Sequence, residues 1–235
     1  MLMAKFDNTL LSAHKTLIQA ADGRSQADVY EVKQGQHSYI IKDYSARPKL
    51  FQMTICRWQL KREWLALLKL RHLSHVPKPI FRNDNQLVMS KLPLAKNSLN
   101  QANCAALERQ IRKIHQSGVC HNDLHSRNLM LDPRHAYIFD FGAASFKAPN
   151  NRTLVTAIQH KFFAVCCFVD RMSVVKYKWK RNRQLLRHDE AKFVSVIEQS
   201  RWISRAWRRF KQWRKAKPAP TTALPHVSMS QGAYY

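Results

Sequence analysis

The stretch from His121 to Gly142 constrains this chain more than any other. His121-Asn122-Asp123-Leu124-His125-Ser126-Arg127-Asn128 sets an amide five residues after an acid. Asp140-Phe141-Gly142 follows two short strand-like runs, Leu129-Met130-Leu131 and Ala136-Tyr137-Ile138-Phe139, joined by the turn-forming Asp132-Pro133-Arg134-His135. Phosphoryl transfer needs a carboxylate to orient and deprotonate an acceptor hydroxyl, oxygen ligands for magnesium, and a cation on the nucleotide phosphates. Asp123 is the candidate base. Mg2+ takes hard oxygen ligands and keeps several waters, so Asn128 and Asp140 suffice as a ligand pair completed by phosphates.

The cation is expected upstream. Ala27 to Val32 and Ser38 to Lys42 read as strands around the polar Lys33-Gln34-Gly35-Gln36-His37, a hairpin. Lys42 ends the second strand, and Glu63 lies on a helix predicted over Trp58 to Leu70, where its carboxylate could hold the Lys42 ammonium. Gln86 to Ser90 is a further strand candidate, and Leu92-Pro93-Leu94 a linker. Leu107, Ile111 and Ile114 mark a second helix, with Gly118 at its C-terminal cap. Beyond Gly142 the chain reads as helical and increasingly basic, and from Pro218 as a flexible tail.

Each motif alone is common; their order and spacing together are not. Together they resemble the protein-kinase-like superfamily over roughly Ile18 to Gly142. That resemblance implies an α+β, two-lobed protein-kinase-like fold, with a small antiparallel-sheet N-lobe over 1–92, a mostly helical C-lobe over 93–217 and a tail over 218–235. It implies ATP and Mg2+ as cofactors, with Lys42 on the α- and β-phosphates and paired with Glu63. A glycine-rich phosphate loop is reduced to Asp22-Gly23-Arg24-Ser25-Gln26-Ala27, so Gly23 is the candidate there. His121 reads as a structural histidine, and Arg127 as a solvated charge. His125 stands beside the base, as a phosphate or acceptor contact or as a structural hydrogen bond.

Three details bear on the acceptor. His125 stands two residues after Asp123, where protein kinases usually carry Lys, and Ala-Pro-Glu is missing after Gly142. Lys42-Asp43-Tyr44-Ser45, Arg62-Glu63, Val76-Pro77-Lys78-Pro79, His115 to Val119 and His121 to His125 resemble bacterial lipopolysaccharide kinases, the Kdo and heptose kinases, and their RIO-like relatives. The leading expectation is therefore a kinase for a sugar hydroxyl of the lipopolysaccharide inner core or another saccharide. A RIO-like protein serine/threonine kinase is the alternative, and a non-catalytic basic membrane or nucleic-acid binder on a kinase scaffold the third reading.

Charge and cysteine content complete the picture. Lys and Arg number 40 against 15 Asp and Glu, a formal +25 that calls for a polyanionic partner. About half of that excess falls between Arg171 and Lys217, where Ile203, Trp207, Phe210 and Trp213 recur at helical spacing among arginines. Such a basic amphipathic helix suits an anionic membrane surface. Nucleic acid qualifies by charge but has no recognition motif here. Five cysteines without a Cys-x-x-Cys pair read as reduced thiols rather than a zinc site. No signal peptide is visible, and the longest apolar run, Phe162 to Val169, is too short to span a bilayer. The expected location is the cytoplasm, peripheral to the inner face of the cell membrane.

Overall fold

The computed structural model describes residues 15–21, 26–93, 98–149 and 153–199. Gly23 and the basic amphipathic stretch around Trp207 lie outside the described residues, as does the tail from Pro218. Two compact units divide the chain, Met1–Glu190 and Ala191–Tyr235. Among the described residues the second contributes only the later turns of one helix.

Five antiparallel strands open the first unit: β1 (Thr16–Gln19), β2 (Asp28–Gln34), β3 (His37–Asp43), β4 (Pro79–Arg82) and β5 (Gln86–Ser90), in the order β1-β2-β3-β5-β4. The β2–β3 hairpin turns through Gly35, whose φ of 57° a two-residue hairpin loop demands. β1 and β4 add to the strands read from sequence. Both are four-residue edge strands, and β4 starts at Pro79, which an edge tolerates because no ladder bond is lost there.

Side-chain alternation along β3 sets the site. Tyr39 and Ile41 join Val32 and Val88 in a small cluster on one face, while Ile40 packs against the main core on the other. Lys42 shares Ile40's face, the face turned toward the helices. A single turn, α1 (Lys49–Phe51), and a π-helical segment, Gln52–Cys56, lead into α2 (Arg57–Lys69), so helical structure begins before the expected Trp58. α2 buries Leu60, Glu63, Ala66 and Leu67, which puts one carboxylate in an otherwise apolar stripe.

The rest of the unit is mainly helical. α3 (Gln101–Gln116) starts on a reciprocal Asn100–Asn103 cap, and Gly118 just beyond it takes a φ of 74°. β6 (Val119–Cys120) then pairs with β9 (Ser145–Phe146), and β7 (Leu129–Leu131) with β8 (Ala136–Ile138). α4 (Leu154–Arg181) is followed by α5 (His188–Gln199). The apolar run inside α4 divides by face, with Phe163 and Cys166 buried and Phe162 and Val165 exposed. Among the described residues no helix is long and apolar enough to cross a membrane.

One hydrophobic cluster runs from Leu87 on the sheet and Leu60 and Leu67 on α2 to Leu107, Ile111 and Ile114 on α3 and Ile138 and Phe141. The expected α+β arrangement, a sheet-bearing lobe before a helical one, is what the chain adopts. Buried charge on α4 is matched: Lys178 reaches Glu108 and, at 2.9 Å, Glu190.

Candidate active site

Lys42 stands between two carboxylates. Its Nζ donates to both oxygens of Glu63 at 2.8 Å and to Oδ1 of Asp140 at 2.8 Å. Burial would by itself lower the ammonium's pKa, but Glu63 and Asp140 outweigh it and raise it above the ordinary lysine range. The same ammonium holds the Asp140 carboxyl below its usual value. Lys42 is therefore a fixed positive charge, and the Asp140 side chain, 45% exposed, opens from it to solvent.

Asn128 reaches this place through the β7–β8 hairpin. The register pairs Leu129 with Ile138, and the Phe139 N–H extends the ladder to the Asn128 carbonyl at 3.2 Å. Asn128 and the segment entering Asp140 thus lie side by side at one end of the hairpin. The Asn128 Nδ2 donates to the Asp123 carbonyl at 2.9 Å and approaches Asp123 Oδ2 at 3.5 Å, which leaves Oδ1 as the ligand atom of the amide. That oxygen and the Asp140 carboxylate form a hard donor set, and they fit Mg2+.

Two left-handed residues shape the backbone, Asn122 with φ 63° and Asp140 with φ 67°; Asn and Asp are the side chains best suited to that region after glycine. His121 is fully buried and locked by two contacts. The Asp123 N–H donates to its Nδ1 at 3.2 Å, and its Nε2 faces the Phe139 carbonyl at 3.0 Å, so Nε2 carries the proton and the ring is neutral. Burial holds its pKa below the ordinary histidine value, offset in part by the Phe139 carbonyl. Its ring packs 4.8 Å from Phe141.

Asp123 itself is 55% exposed. The Arg127 N–H donates to His125 Nδ1 at 3.2 Å, which turns Nε2 toward Asp123 Oδ2 at 3.6 Å. His125 therefore borders the carboxylate, and Arg127 is exposed.

Two residues have roles here that the sequence did not assign them. Asp170 on α4 is wholly buried and accepts three hydrogen bonds: from His121 N at 2.7 Å, from Asn122 N at 2.8 Å, and from His115 Nε2 at 3.0 Å. It clamps the start of the loop to a rigid helix. Its one sequence signal is that α4 contains no other acidic residue. Arg62, next to Glu63, donates through Nε to the Ala144 carbonyl at 2.7 Å and lies over the Trp58 ring at 4.4 Å, tying α2 to the segment after Gly142.

A half-buried lysine bridging a helix glutamate and the aspartate of Asp-Phe-Gly, beside an Asp and Asn five residues apart, meets a decisive match: the sequence profile of the RIO domain covers residues 24–157, more than half of the chain. The chain belongs to the RIO domain family. Two solved structures similar to this RIO domain are of Rio2 kinase from Chaetomium thermophilum. The first shares 16% identity over 63% of this chain and 54% of that one, with a TM-score of 0.44. The second, a Rio2 kinase-ADP/Mg2+-phosphoaspartate complex, shares 17% over 66% and 55%, also with a TM-score of 0.44. The chain spans about half the length of these solved relatives. No curated protein sequence matches it. The fold is two-lobed and protein-kinase-like, and family membership favours the RIO-like alternative over the leading lipopolysaccharide-kinase expectation, which these comparisons do not support.

Proposed function

We propose that this RIO domain is an ATP-dependent phosphotransferase with an alcohol hydroxyl as acceptor, a protein serine or threonine foremost. The observation that carries the reading is Lys42, held at 2.8 Å from both Glu63 and Asp140. A fixed ammonium of this kind suits the α- and β-phosphates of ATP, and Glu63 keeps it in place when those phosphates arrive. Asn128 and Asp140 would hold Mg2+, which supplies charge neutralisation on the phosphates.

Asp123 then has the remaining task. Its exposed carboxylate orients the acceptor hydroxyl and takes its proton as the oxygen bonds to the γ-phosphorus, while the bond from that phosphorus to the β-phosphate oxygen breaks and ADP leaves. His121, neutral and buried, acts only by fixing the Asp123 backbone. The formal charge of +25 supports work beside a polyanion.

Incubation with Mg2+, γ-labelled ATP, candidate protein acceptors and core saccharide tests this reading. Label in protein is expected. Label in the saccharide would reinstate the lipopolysaccharide-kinase expectation, release as free phosphate would make the enzyme an ATPase, and label remaining in ATP would refute phosphotransfer.

A further inference from the structure

Cys120 immediately precedes His121, and Cys167 lies one turn before Asp170 on α4. Their sulfurs are 3.2 Å apart, and a ring nitrogen of His115 completes a group whose ligand atoms all lie within 4.8 Å of one another. His115 is tied to the loop clamp, with Nε2 3.0 Å from Asp170 Oδ2. A carboxylate accepts, so Nε2 is the donor in this bond and Nδ1 is the ring atom left for another partner. That Nδ1 is buried without a hydrogen-bond partner, on a side chain only 8% exposed. Buried polar atoms rarely lack a partner.

Two thiols and an unpartnered imidazole nitrogen form a soft ligand set. Histidines that bind metal characteristically give their second ring N–H to a carboxylate, which fixes ring and tautomer; Asp170 already provides this for His115. Phe163 and Cys166 pack around Cys120, while Cys167 is the half-buried member through which solvent reaches the group.

We propose that His115 Nδ1, Cys120 Sγ and Cys167 Sγ bind a divalent cation of the zinc class, with water in the fourth position. Both thiols bind as thiolates, so each cation taken up releases two protons and no electrons move. Without a cation, burial keeps both thiols protonated. Tetrahedral coordination at about 2.3 Å per sulfur would set the sulfurs roughly 3.8 Å apart, so they separate by somewhat more than half an ångström from their 3.2 Å on binding. The three ligands are scattered from residue 115 to residue 167, which is why no spacing motif announces them. The site adjoins Asp170, so an occupied site would firm the clamp on His121 and Asn122. It does not depend on the phosphotransferase reading.

The test uses the full chain, reduced, stripped of metal by a chelator, and titrated with Co2+ as a spectroscopic probe. Expected is a thiolate-to-cobalt charge-transfer band with tetrahedral d–d absorption that saturates at one equivalent and is displaced by Zn2+. The band disappears in Cys120→Ser and in Cys167→Ser and survives in Cys104→Ser. Cys167→Ser, at the half-buried position, answers the question should Cys120→Ser fail to fold. Absence of the band, or its survival in Cys167→Ser, overturns the site. A Cys120–Cys167 disulfide that persists in protein purified under thiol reductant overturns it as well.

Discussion

At the scale of single residues, the ion pair between Lys42 and Glu63 joins stability to chemistry. Glu63 is 3% exposed and lies in the apolar stripe of α2, so removal of its ammonium partner strands a buried carboxylate. Lys42→Met is expected to lose about 3–5 kcal/mol of stability in chemical denaturation. The double variant Lys42→Met with Glu63→Gln recovers part of that loss, while phosphotransfer stays lost in both. A double variant no more stable than the single one would contradict the pairing. His121 carries a pH signature. Its folded pKa lies below the ordinary value of about 6.5, so the unfolded chain binds more protons between the two values. Its contribution is fully present above pH ~6.5 and is lost as pH falls through the folded value. The slope of stability against pH below 6.5 should be shallower in His121→Asn than in the wild type; equal slopes would contradict a buried neutral ring. Lys42, Glu63, Asp123, Asn128 and Asp140 were legible as candidates because each occupies a fixed interval in a loop or at an element's end. Asp170 was not, because its partners lie 48, 49 and 55 residues away in the chain and no local pattern marks it.

At the scale of elements, the β7–β8 hairpin and α4 do the positioning. The hairpin register brings Asn128 beside the segment entering Asp140, and α4 anchors the other end of the loop through Asp170. Asp170→Asn keeps the shape but replaces one accepting oxygen with a donor that faces a backbone N–H, that of His121 or of Asn122. Hydrogen bonds to a charged acceptor contribute about 1.5–3 kcal/mol each, so thermal stability should drop. Phosphotransfer should show a lower kcat with little change in the KM for ATP, since Lys42 is untouched; a change confined to KM would argue against the clamp. β2, β3, β5, α2, α3 and the β7–β8 hairpin were readable from period and turn residues. β1 and β4 were not, because four-residue edge strands carry little alternation and Pro79 argues against a strand. α2 itself starts within one residue of the expected Trp58, but the turns before it were not read, because a π-helical segment breaks the helical period over Gln52–Cys56.

At the scale of the whole molecule, the fold was legible because chemistry and element order agreed, whereas the acceptor was not, because a carboxylate such as Asp123 orients a saccharide hydroxyl and a serine hydroxyl in the same way. The charge of +25 gives an expectation that holds for any acceptor. In flotation, the protein should associate with vesicles of anionic lipid at low salt and release as salt rises, since screening shortens the reach of surface charge to roughly 8 Å at physiological ionic strength. Equal binding to neutral vesicles would mean that charge is not the cause. Everything else turns on whether Asp123 takes the hydroxyl proton. Transfer of labelled phosphate, measured beside nucleotide binding for the wild type and Asp123→Asn, decides it. Turnover should fall by at least ~100-fold with nucleotide affinity nearly unchanged; phosphotransfer at the wild-type rate by Asp123→Asn would contradict the assignment.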